Sequence, residues 1–243
     1  MQVVNEWERT QIDYKTAIEF LLPRHYSGRK PSISYAYGLY GNDKLMAVCT
    51  FGKPASNTLC DGVCGKEFSK NVYELNRLCR EEDCDYPLSK FVSWCLKQLS
   101  EKDLIIVSYS DMAMNHHGYI YQACNFIYTG ATKKRTDMWT PSGKHSRHYK
   151  AEQQGKYRKV RSSKHRYVYF ATSNKRTKRL YKQALKYPIK PYPKGDNSNY
   201  KLGEYLKETL IDTEGRKNEL QEDNGRCEVP CAERIGHGLR RER

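Results

Sequence analysis

The sequence predicts a mixed α/β (α+β) domain in which a central sheet is flanked by helices. Three patterns indicate this fold class. The apolar run Leu104–Ser110 is typical of a buried strand, and it ends at the carboxylate of Asp111. Residues 13–22 and 87–100 carry apolar side chains at helical spacing, and residues 34–51 alternate as the strands of a β-hairpin do. Helices and strands therefore alternate along the first half of the chain.

The first helix is predicted to begin at the N-cap Asp13 and to end before Pro23. The loop Arg24–Pro31 follows it and carries an imidazole and a phenol, at His25 and Tyr26. Most loops of this kind are simply solvated, and only some carry function. We therefore keep both interpretations of this loop open.

The next elements are predicted to be the hairpin of Ser34–Tyr40 and Lys44–Phe51, which turns at Gly41-Asn42-Asp43. Residues 55–71 are expected to form an irregular connection, and Val72–Cys79 the next strand. This strand and Leu104–Ser110 are expected to lie at the centre of the sheet.

The second long helix is predicted from Pro87 to about Ser100, because proline suits the first turn of a helix. Its free backbone N–H groups and the hydroxyl of Ser89 are suited to a phosphate or pyrophosphate. A serine at a helix start is also a common cap, and no glycine-rich loop precedes it. Both interpretations of Ser89 are kept.

After Gly130 the chain becomes strongly basic. We predict a hairpin over residues 132–149, a loop over 150–164, a strand over His165–Phe170 and a helix capped by Ser173 and Asn174, with Leu180, Ala184 and Leu185 facing inward. Pro188, Pro191 and Pro193 are expected to end the ordered part. The predicted domains are thus 1–194, with 131–194 as a basic DNA-binding part, and a loosely attached polar tail over 195–243 with a helix at Leu202–Ile211.

The net charge of +15 is concentrated in one block of the sequence. Residues 131–194 hold 20 Lys and Arg against 2 Asp and Glu, whereas residues 1–130 hold 14 against 15 and residues 195–243 hold 9 against 11. A surplus of this density attracts polyphosphate chains, and nucleic acid is the first candidate. Tyr149, Tyr157, Tyr167 and Tyr169 lie between the bases, a pattern that suits stacking on nucleobases.

We expect nucleic acid to be bound by ten cations of this block. They are Lys133, Lys134, Arg135, Arg158, Lys159, Arg161, Lys175, Arg176, Lys178 and Arg179. A membrane partner is not expected, because the sequence shows no long apolar segment, signal peptide or lipidation motif. We expect an intracellular protein. Its oligomeric state is left open, with a dimer as one of the options.

The nine cysteines are an odd number at no repeated spacing, so disulfides are not expected. The spacing of Cys60 with Cys64 and of Cys227 with Cys231 is compatible with zinc, but neither pair has a matching second half. We expect Cys49, Cys79 and Cys95 to be small core residues.

The densest group of polar residues follows the strand that ends at Asp111 and includes His116, His117, Tyr119 and Tyr121. Asp111 is a plausible general base, and Tyr26 or Tyr121 a plausible acid or orienting donor. His25, Asp111 and a Tyr121 tyrosinate are alternatively suited to a redox metal such as iron. For any one of these residues, an ordinary core or capping role is the competing interpretation.

Seven short motifs, in consistent order over about residues 12–194, together resemble the Mom family of phage DNA adenine-modification proteins. They are His25-Tyr26, Tyr37–Tyr40, Thr50–Pro54, Glu74–Leu78, Ser89–Phe91, Ser108–Asp111 and Gly118–Gly130. The order of elements also resembles the GNAT acyltransferase fold, in which two neighbouring parallel strands splay apart and a cofactor lies in the gap.

The resemblance implies a GNAT-like transferase that places a carbamoylmethyl-type group on N6 of adenine in phage DNA, in the cytoplasm of the infected bacterium, and protects the DNA from restriction. By position, Tyr26, Asp111 and Tyr121 match the family's active-site residues, with His25 beside them. Ser89 matches the site of an acyl-CoA pyrophosphate, and we expect Lys90 and Arg77 to assist it. The glycine-containing pyrophosphate loop usual in this fold is replaced here by the acidic segment Glu81–Tyr86.

Two alternatives of other classes remain. One is a GNAT-type N-acetyltransferase that acts on a protein or a small amine, in which the basic block binds an acidic partner. The other is a non-enzymatic nucleic-acid-binding protein, in which the Lys and Arg residues are needed and Tyr26, Asp111 and Tyr121 are not. In duplex DNA the adenine would have to leave the stack before reaction, and Tyr119 and Tyr128 are candidates to stack on it.

Overall fold

The computed structural model describes residues 6–138, 157–196 and 209–212. Seven strands form one mixed sheet: β1 Trp7–Gln11, β2 Tyr35–Gly41, β3 Lys44–Gly52, β4 Val72–Arg80, β5 Leu104–Asp111, β6 Ile127–Ala131 and β9 Lys164–Ala171. Their order across the sheet is β1–β2–β3–β4–β5–β9–β6. Three short strands form a second sheet: β7 Arg135–Met138, β8 Tyr157–Arg161 and β10 Leu210–Asp212. The predicted mixed α/β class is confirmed.

Five α-helices lie among the described residues. They are α1 Tyr14–Leu21, α2 Asn57–Cys64, α3 Leu88–Gln98, α4 Tyr119–Ala123 and α5 Lys175–Ala184. Asp13 caps α1 as predicted, because its side chain accepts from the Thr16 N–H at 2.8 Å. No helix in the described ranges is long and apolar enough to cross a membrane.

The two central strands diverge as the predicted layout requires. β4 and β5 run parallel and pair only from Val72 with Ile105 to Leu75 with Ser108. Beyond that point β4 continues to Arg80 and β5 to Asp111, and β5 remains paired with β9 as far as Lys164. The sheet therefore opens between β4 and β5, directly after Leu75.

The helices cover both faces of the large sheet. On one face, α3 and α4 pack on a core that includes Phe51, Leu75 and Ile106. On the other, α1 packs on Val48 and Cys79, while α2 and α5 pack on Val72 and Ile105. The predicted core cysteines Cys49, Cys79 and Cys95 are buried, and the described cysteines are free thiols.

Several local predictions were wrong. Residues 55–71 are not irregular, because α2 and a 3-10 helix over Lys66–Asn71 fill most of that range. Residues 157–161, predicted as loop, form β8, and Leu210–Asp212 is a strand where a helix was expected. Leu180 does not face inward, since it is 48% exposed and Tyr181 is the buried residue of α5.

Other predictions fall outside the described residues. They include the part of the predicted hairpin from 139 to 149, with Tyr149, and the part of the predicted loop from 150 to 156. They also include the start of the tail helix at 202–208 and the pair Cys227 and Cys231. The chain divides into two compact units, residues 1–137 with 159–209 and residues 138–158 with 210–243. The large sheet and all of the candidate site belong to the first unit.

Candidate active site

The loop after α1 is tied at one end to β4 and at the other to Glu81, the residue that follows β4. The Arg24 guanidinium donates to Glu81 Oε1 from Nε at 2.9 Å and from Nη2 at 2.6 Å. Further along the loop, Arg77 Nη2 donates to the backbone oxygen of Arg29 at 3.2 Å. These bonds hold His25 and Tyr26, which lie between the two anchors, against the sheet.

His25 is a neutral imidazole in this environment. Its side chain is buried, and burial, followed by the nearby positive charges of Arg77 and Lys164, lowers its pKa to about 3. Nδ1 accepts a hydrogen bond from the Ser27 N–H at 3.2 Å, so the ring proton of the neutral form lies on Nε2. The ring stacks on Tyr26, with 4.4 Å between the ring centroids.

Asp111 lies at the end of β5 with both carboxylate oxygens occupied. Oδ1 accepts from the Ala113 N–H at 3.0 Å and from the hydroxyl of Ser162, and Oδ2 lies 3.0 Å from Lys164 Nζ. Burial raises the pKa of this carboxyl, but Lys164 and the hydrogen bonds outweigh it and hold the pKa below its ordinary value. Asp111 is therefore an ionised, fully engaged carboxylate.

The phenols of Tyr26 and Tyr121 are both protonated. Burial and the charge of Asp111 raise the pKa of Tyr26 to about 12. Burial likewise raises the pKa of Tyr121, with smaller contributions from Tyr26 and Glu74. Each phenol can therefore donate a hydrogen bond at neutral pH, and Tyr26 also meets the edge of His116 at 6.2 Å between centroids.

Tyr121 lies where the sheet opens. The hydroxyl of Ser108, the last β5 residue paired with β4, donates to the Leu75 carbonyl at 3.0 Å. Tyr121 makes a side-chain hydrogen bond with Ser108 and packs 5.3 Å from the Tyr167 ring. The phenol thus reaches the point at which β4 and β5 separate, and the electrostatic influence of Tyr26 there shows that the two phenols are neighbours.

Two charged residues of the site were missed by sequence reasoning. Lys164, at the start of β9, belongs to the basic block but binds Asp111. Glu74, on β4, is only partly exposed, and burial raises its pKa, although Arg77 and Lys164 oppose the shift. Glu74 could have been noticed in the sequence, because a charged residue within a central strand is unusual. Lys164 could not, because its position opposite Asp111 depends on strand pairing that the sequence does not reveal.

The predicted catalytic residues His25, Tyr26, Asp111 and Tyr121 come together in one place. Arg77, predicted to bind a cofactor, lies with His25 and Tyr26 and lowers the pKa of both. Ser89 and Lys90 lie at the start of α3, whose N-cap residue Pro87 makes no side-chain cap. The acids before this helix are partly neutralised, since Glu81 pairs with Arg24 and Asp83 with Lys44.

The predicted iron ligands His25, Asp111 and Tyr121 have other partners in this structure, and the metal site stays a prediction. The Asp111 carboxylate holds an ammonium and two hydrogen-bond donors, and the raised pKa of Tyr121 disfavours a tyrosinate. Within the described part of the chain, no group of three or more His, Cys, Asp or Glu side chains is arranged to hold a metal ion.

The predicted DNA-binding cations are distributed over several elements. Lys175, Arg176, Lys178 and Arg179 are exposed on α5, whose ten residues include no acid. β9 runs antiparallel to β5, with Lys164 opposite Asp111 and Ala171 opposite Leu104. The start of α5 is therefore about 23 Å, the length of β9, from the Asp111 end of the sheet.

The remaining cations lie near β7 and β8. Lys133, Lys134 and Arg135 are exposed, and Arg161 pairs with Asp137 at 3.5 Å. Lys159 and Arg158 are half-buried on β8, and Arg158 donates to the Met138 sulfur at 3.3 Å. Lys159 lies in the first unit and Arg158 in the second.

Two of the predicted stacking tyrosines are core residues. Tyr167 is fully buried and donates its hydroxyl proton to the backbone oxygen of His117, and Tyr128 is 7% exposed and hydrogen-bonds to His165 Nδ1 at 2.9 Å. Tyr169 is also packed against the core. Tyr119, by contrast, is 41% exposed and remains accessible.

Similar solved structures are acetyltransferases. A putative acetyltransferase from Acinetobacter baylyi ADP1 is 12% identical (TM-score 0.45) over 70% of this chain and 94% of its own. An N-acetyltransferase from Staphylococcus aureus Mu50 is 9% identical (TM-score 0.44), and the match covers 69% of this chain and 99% of that protein. The putative acetyltransferase YncA from Salmonella typhimurium, solved with acetyl-CoA, is 8% identical (TM-score 0.42), and the match covers 70% of this chain and 96% of that protein. Likeness at this level does not transfer an activity.

No curated protein matches the chain. The profile of one protein family does match, that of the Mom protein family, and it spans residues 6–194. This range contains every residue of the site described above, from His25 to Lys164, and most of the chain's length. The chain therefore belongs to the Mom protein family.

Proposed function

We propose that this protein places a carbamoylmethyl-type group on the exocyclic N6 of adenine in double-stranded phage DNA and so protects the DNA from restriction. Membership of the Mom family supports a group-transfer enzyme. The observation that carries the proposal is the convergence of Tyr26, Asp111 and Tyr121, from three separate segments, beside the opening between β4 and β5.

The site suits activation of a weak nucleophile. The lone pair of the adenine amine is delocalised into the ring, so the enzyme has to remove a proton, polarise the donor, or both. Tyr26 and Tyr121 supply protonated hydroxyls that can orient the donor or the base. His25 is held neutral with its proton on Nε2, so it donates without adding positive charge.

An acyl-CoA-type donor fits the start of α3. Ser89 and Lys90 would meet its pyrophosphate there, where Pro87 leaves the backbone N–H groups without a side-chain cap. Such a donor would supply the activated group to be transferred. Arg77 anchors the loop that carries Tyr26, which favours a role in the reaction centre over pyrophosphate binding.

DNA is proposed to bind through the exposed cations of α5 and of residues 133–135, in the cytoplasm of the infected bacterium. The target adenine has to be extruded from the duplex, and Tyr119 is an exposed aromatic residue at the edge of the site that can stack on it. Affinity for duplex DNA should then fall steeply with salt.

Mass spectrometry of nucleosides from plasmid DNA tests the proposal. The DNA is isolated after co-expression with the wild type, with Tyr26→Phe, or with Tyr14→Phe as a matched control whose side chain is 52% exposed on α1. We expect a modified adenosine with the wild type and with Tyr14→Phe, and at least a tenfold smaller yield with Tyr26→Phe. Unmodified adenine in the wild-type sample would contradict the proposed function.

A further inference from the structure

Glu74 lies on β4, next to the point at which the sheet opens. It pairs with Val107 of β5, one residue before the last pair, Leu75 with Ser108, after which the strands diverge. On its other side it pairs with Gly52 of β3, which has no side chain beside it. The residue as a whole is half-buried and adjoins the opening.

The groups that influence Glu74 come from the candidate site and from the core beneath α2. The electrostatic neighbours of its carboxylate are Arg77 on β4, Tyr109 on β5, Lys164 on β9, Tyr121 on α4 and Cys60 on α2. Tyr121 is influenced by both Tyr26 and Glu74. The charge of Glu74 is therefore linked to Tyr121, one of the two phenols that the proposed reaction uses.

Asp111 is poorly placed to accept a proton. Lys164, Ser162 and the Ala113 N–H already occupy its two oxygens, and the residue is only 3% exposed. Accepting a proton would require it to give up one of these partners. Within the described residues, no ion pair or hydrogen bond similarly occupies the oxygens of Glu74.

We propose that Glu74 is the general base of the transfer and that Asp111 is a positioning residue. The inference rests on the proposed function. One N–H bond of the adenine amine breaks, and its proton passes to the Glu74 carboxylate. The amine nitrogen bonds to the electrophilic carbon of an activated donor, and the bond from that carbon to the leaving group breaks with its electron pair on the leaving group.

The protonation behaviour of Glu74 agrees with this role. Burial raises the pKa of its carboxyl, which makes the carboxylate a stronger base than an ordinary glutamate, whereas the pKa of Asp111 is lowered. Arg77 and Lys164 oppose this rise, because nearby positive charges favour the ionised carboxylate.

The experiment compares Glu74→Gln, Glu74→Asp and wild type in the co-expression assay, sampled early after induction. Glu19→Gln is the control, because that glutamate lies on α1 with a 66% exposed side chain. Loss of a general base costs on the order of 100-fold or more, so we expect E74Q to yield less than about one hundredth of the wild-type modified adenosine. E74D, which keeps a carboxylate, should fall between the two.

Thermal melting and duplex-DNA affinity of the purified full chains separate this role from a structural one. The proposal is supported when E74Q melts and binds DNA as the wild type does but does not modify it. Modification by E74Q within threefold of wild type overturns the role of Glu74 alone. If E74Q does not fold, Glu74→Ala takes its place, and a folded E74A with a yield within threefold of wild type overturns the role. An unmodified wild-type sample overturns the proposed function and this role together.

Discussion

Replacing Asp111 with asparagine should destabilise the protein by about 2–4 kcal/mol. The side chain of Asp111 is 4% exposed and that of Lys164 is 31% exposed, with 3.0 Å between the charged atoms. Removing one member of a buried ion pair costs roughly 3–5 kcal/mol. Water reaches part of Lys164 and offsets some of this loss, while the Asn side chain can still accept from the Ala113 N–H, as Asp111 does at 3.0 Å.

Urea denaturation of the full chain at pH 7 measures this difference, with Asp83→Asn as the control. Asp83 pairs with Lys44 at 3.2 Å, but the two side chains are 67% and 57% exposed. An exposed pair contributes at most about 1 kcal/mol, so this variant should remain close to the wild type. A loss below about 1 kcal/mol in D111N would refute the claim that the carboxylate holds Lys164 and the strand end together.

The acid dependence provides a second check on the same pair. The folded-state pKa of Asp111 is lowered, so its stabilisation is present above the unfolded pKa of about 3.9 and is lost as the pH falls through the folded value. The difference in unfolding free energy between wild type and D111N should stay constant from pH 5 to 8, where Asp111 is ionised. It should narrow below about pH 4. A difference in unfolding free energy that widens on acidification would contradict the lowered pKa of Asp111.

Three further predictions concern other parts of the fold. His25 has a folded-state pKa of about 3, so only the unfolded protein takes up a proton at this residue between pH 7 and 5. In urea titrations at both pH values, the wild type should therefore lose about 2 kcal/mol more unfolding free energy than His25→Gln. Gly118→Ala should cost at least about 2 kcal/mol in the same assay, because φ is +74° and a Cβ would lie 2.6 Å from the buried Tyr167 ring. Neutralising the four α5 cations should reduce the salt slope of duplex binding by about 0.9 for each phosphate that these cations neutralise in the wild type; an unchanged slope would place the DNA elsewhere. These cations are Lys175, Arg176, Lys178 and Arg179.

The sheet could be predicted from the sequence where burial alone decides the pattern. Leu104–Asp111 reads as a strand because its apolar run can only be buried, and the hairpin of β2 and β3 follows from its turn residues. α2 was missed although Leu59, Cys60, Val63 and Cys64 lie at helical spacing behind the cap Ser56. Its glycine and its cysteines obscured a short amphipathic pattern.

The candidate site was predictable only in part. Tyr26, Asp111 and Tyr121 could be identified from their motifs, but the role of Asp111 depends on Lys164, whose position opposite it is fixed by the pairing of β5 with β9. Tyr167 appeared exposed because it alternates with bases, yet β9 is a central strand and is covered on both faces. Long-range register, which no local pattern contains, decided each of these outcomes.

The segment after α5 returns to the candidate site and is hydrogen-bonded to it. The Gln122 side chain donates to Pro193 O at 3.1 Å, Asn115 to Asp196 O at 2.8 Å, and Tyr192 to Phe126 O at 2.7 Å. A protein shortened to the end of α5 would keep every strand of the large sheet and yet lose these bonds from the loop that leads to Tyr121. A shortened protein made for crystallisation should therefore retain the chain at least as far as Asp196.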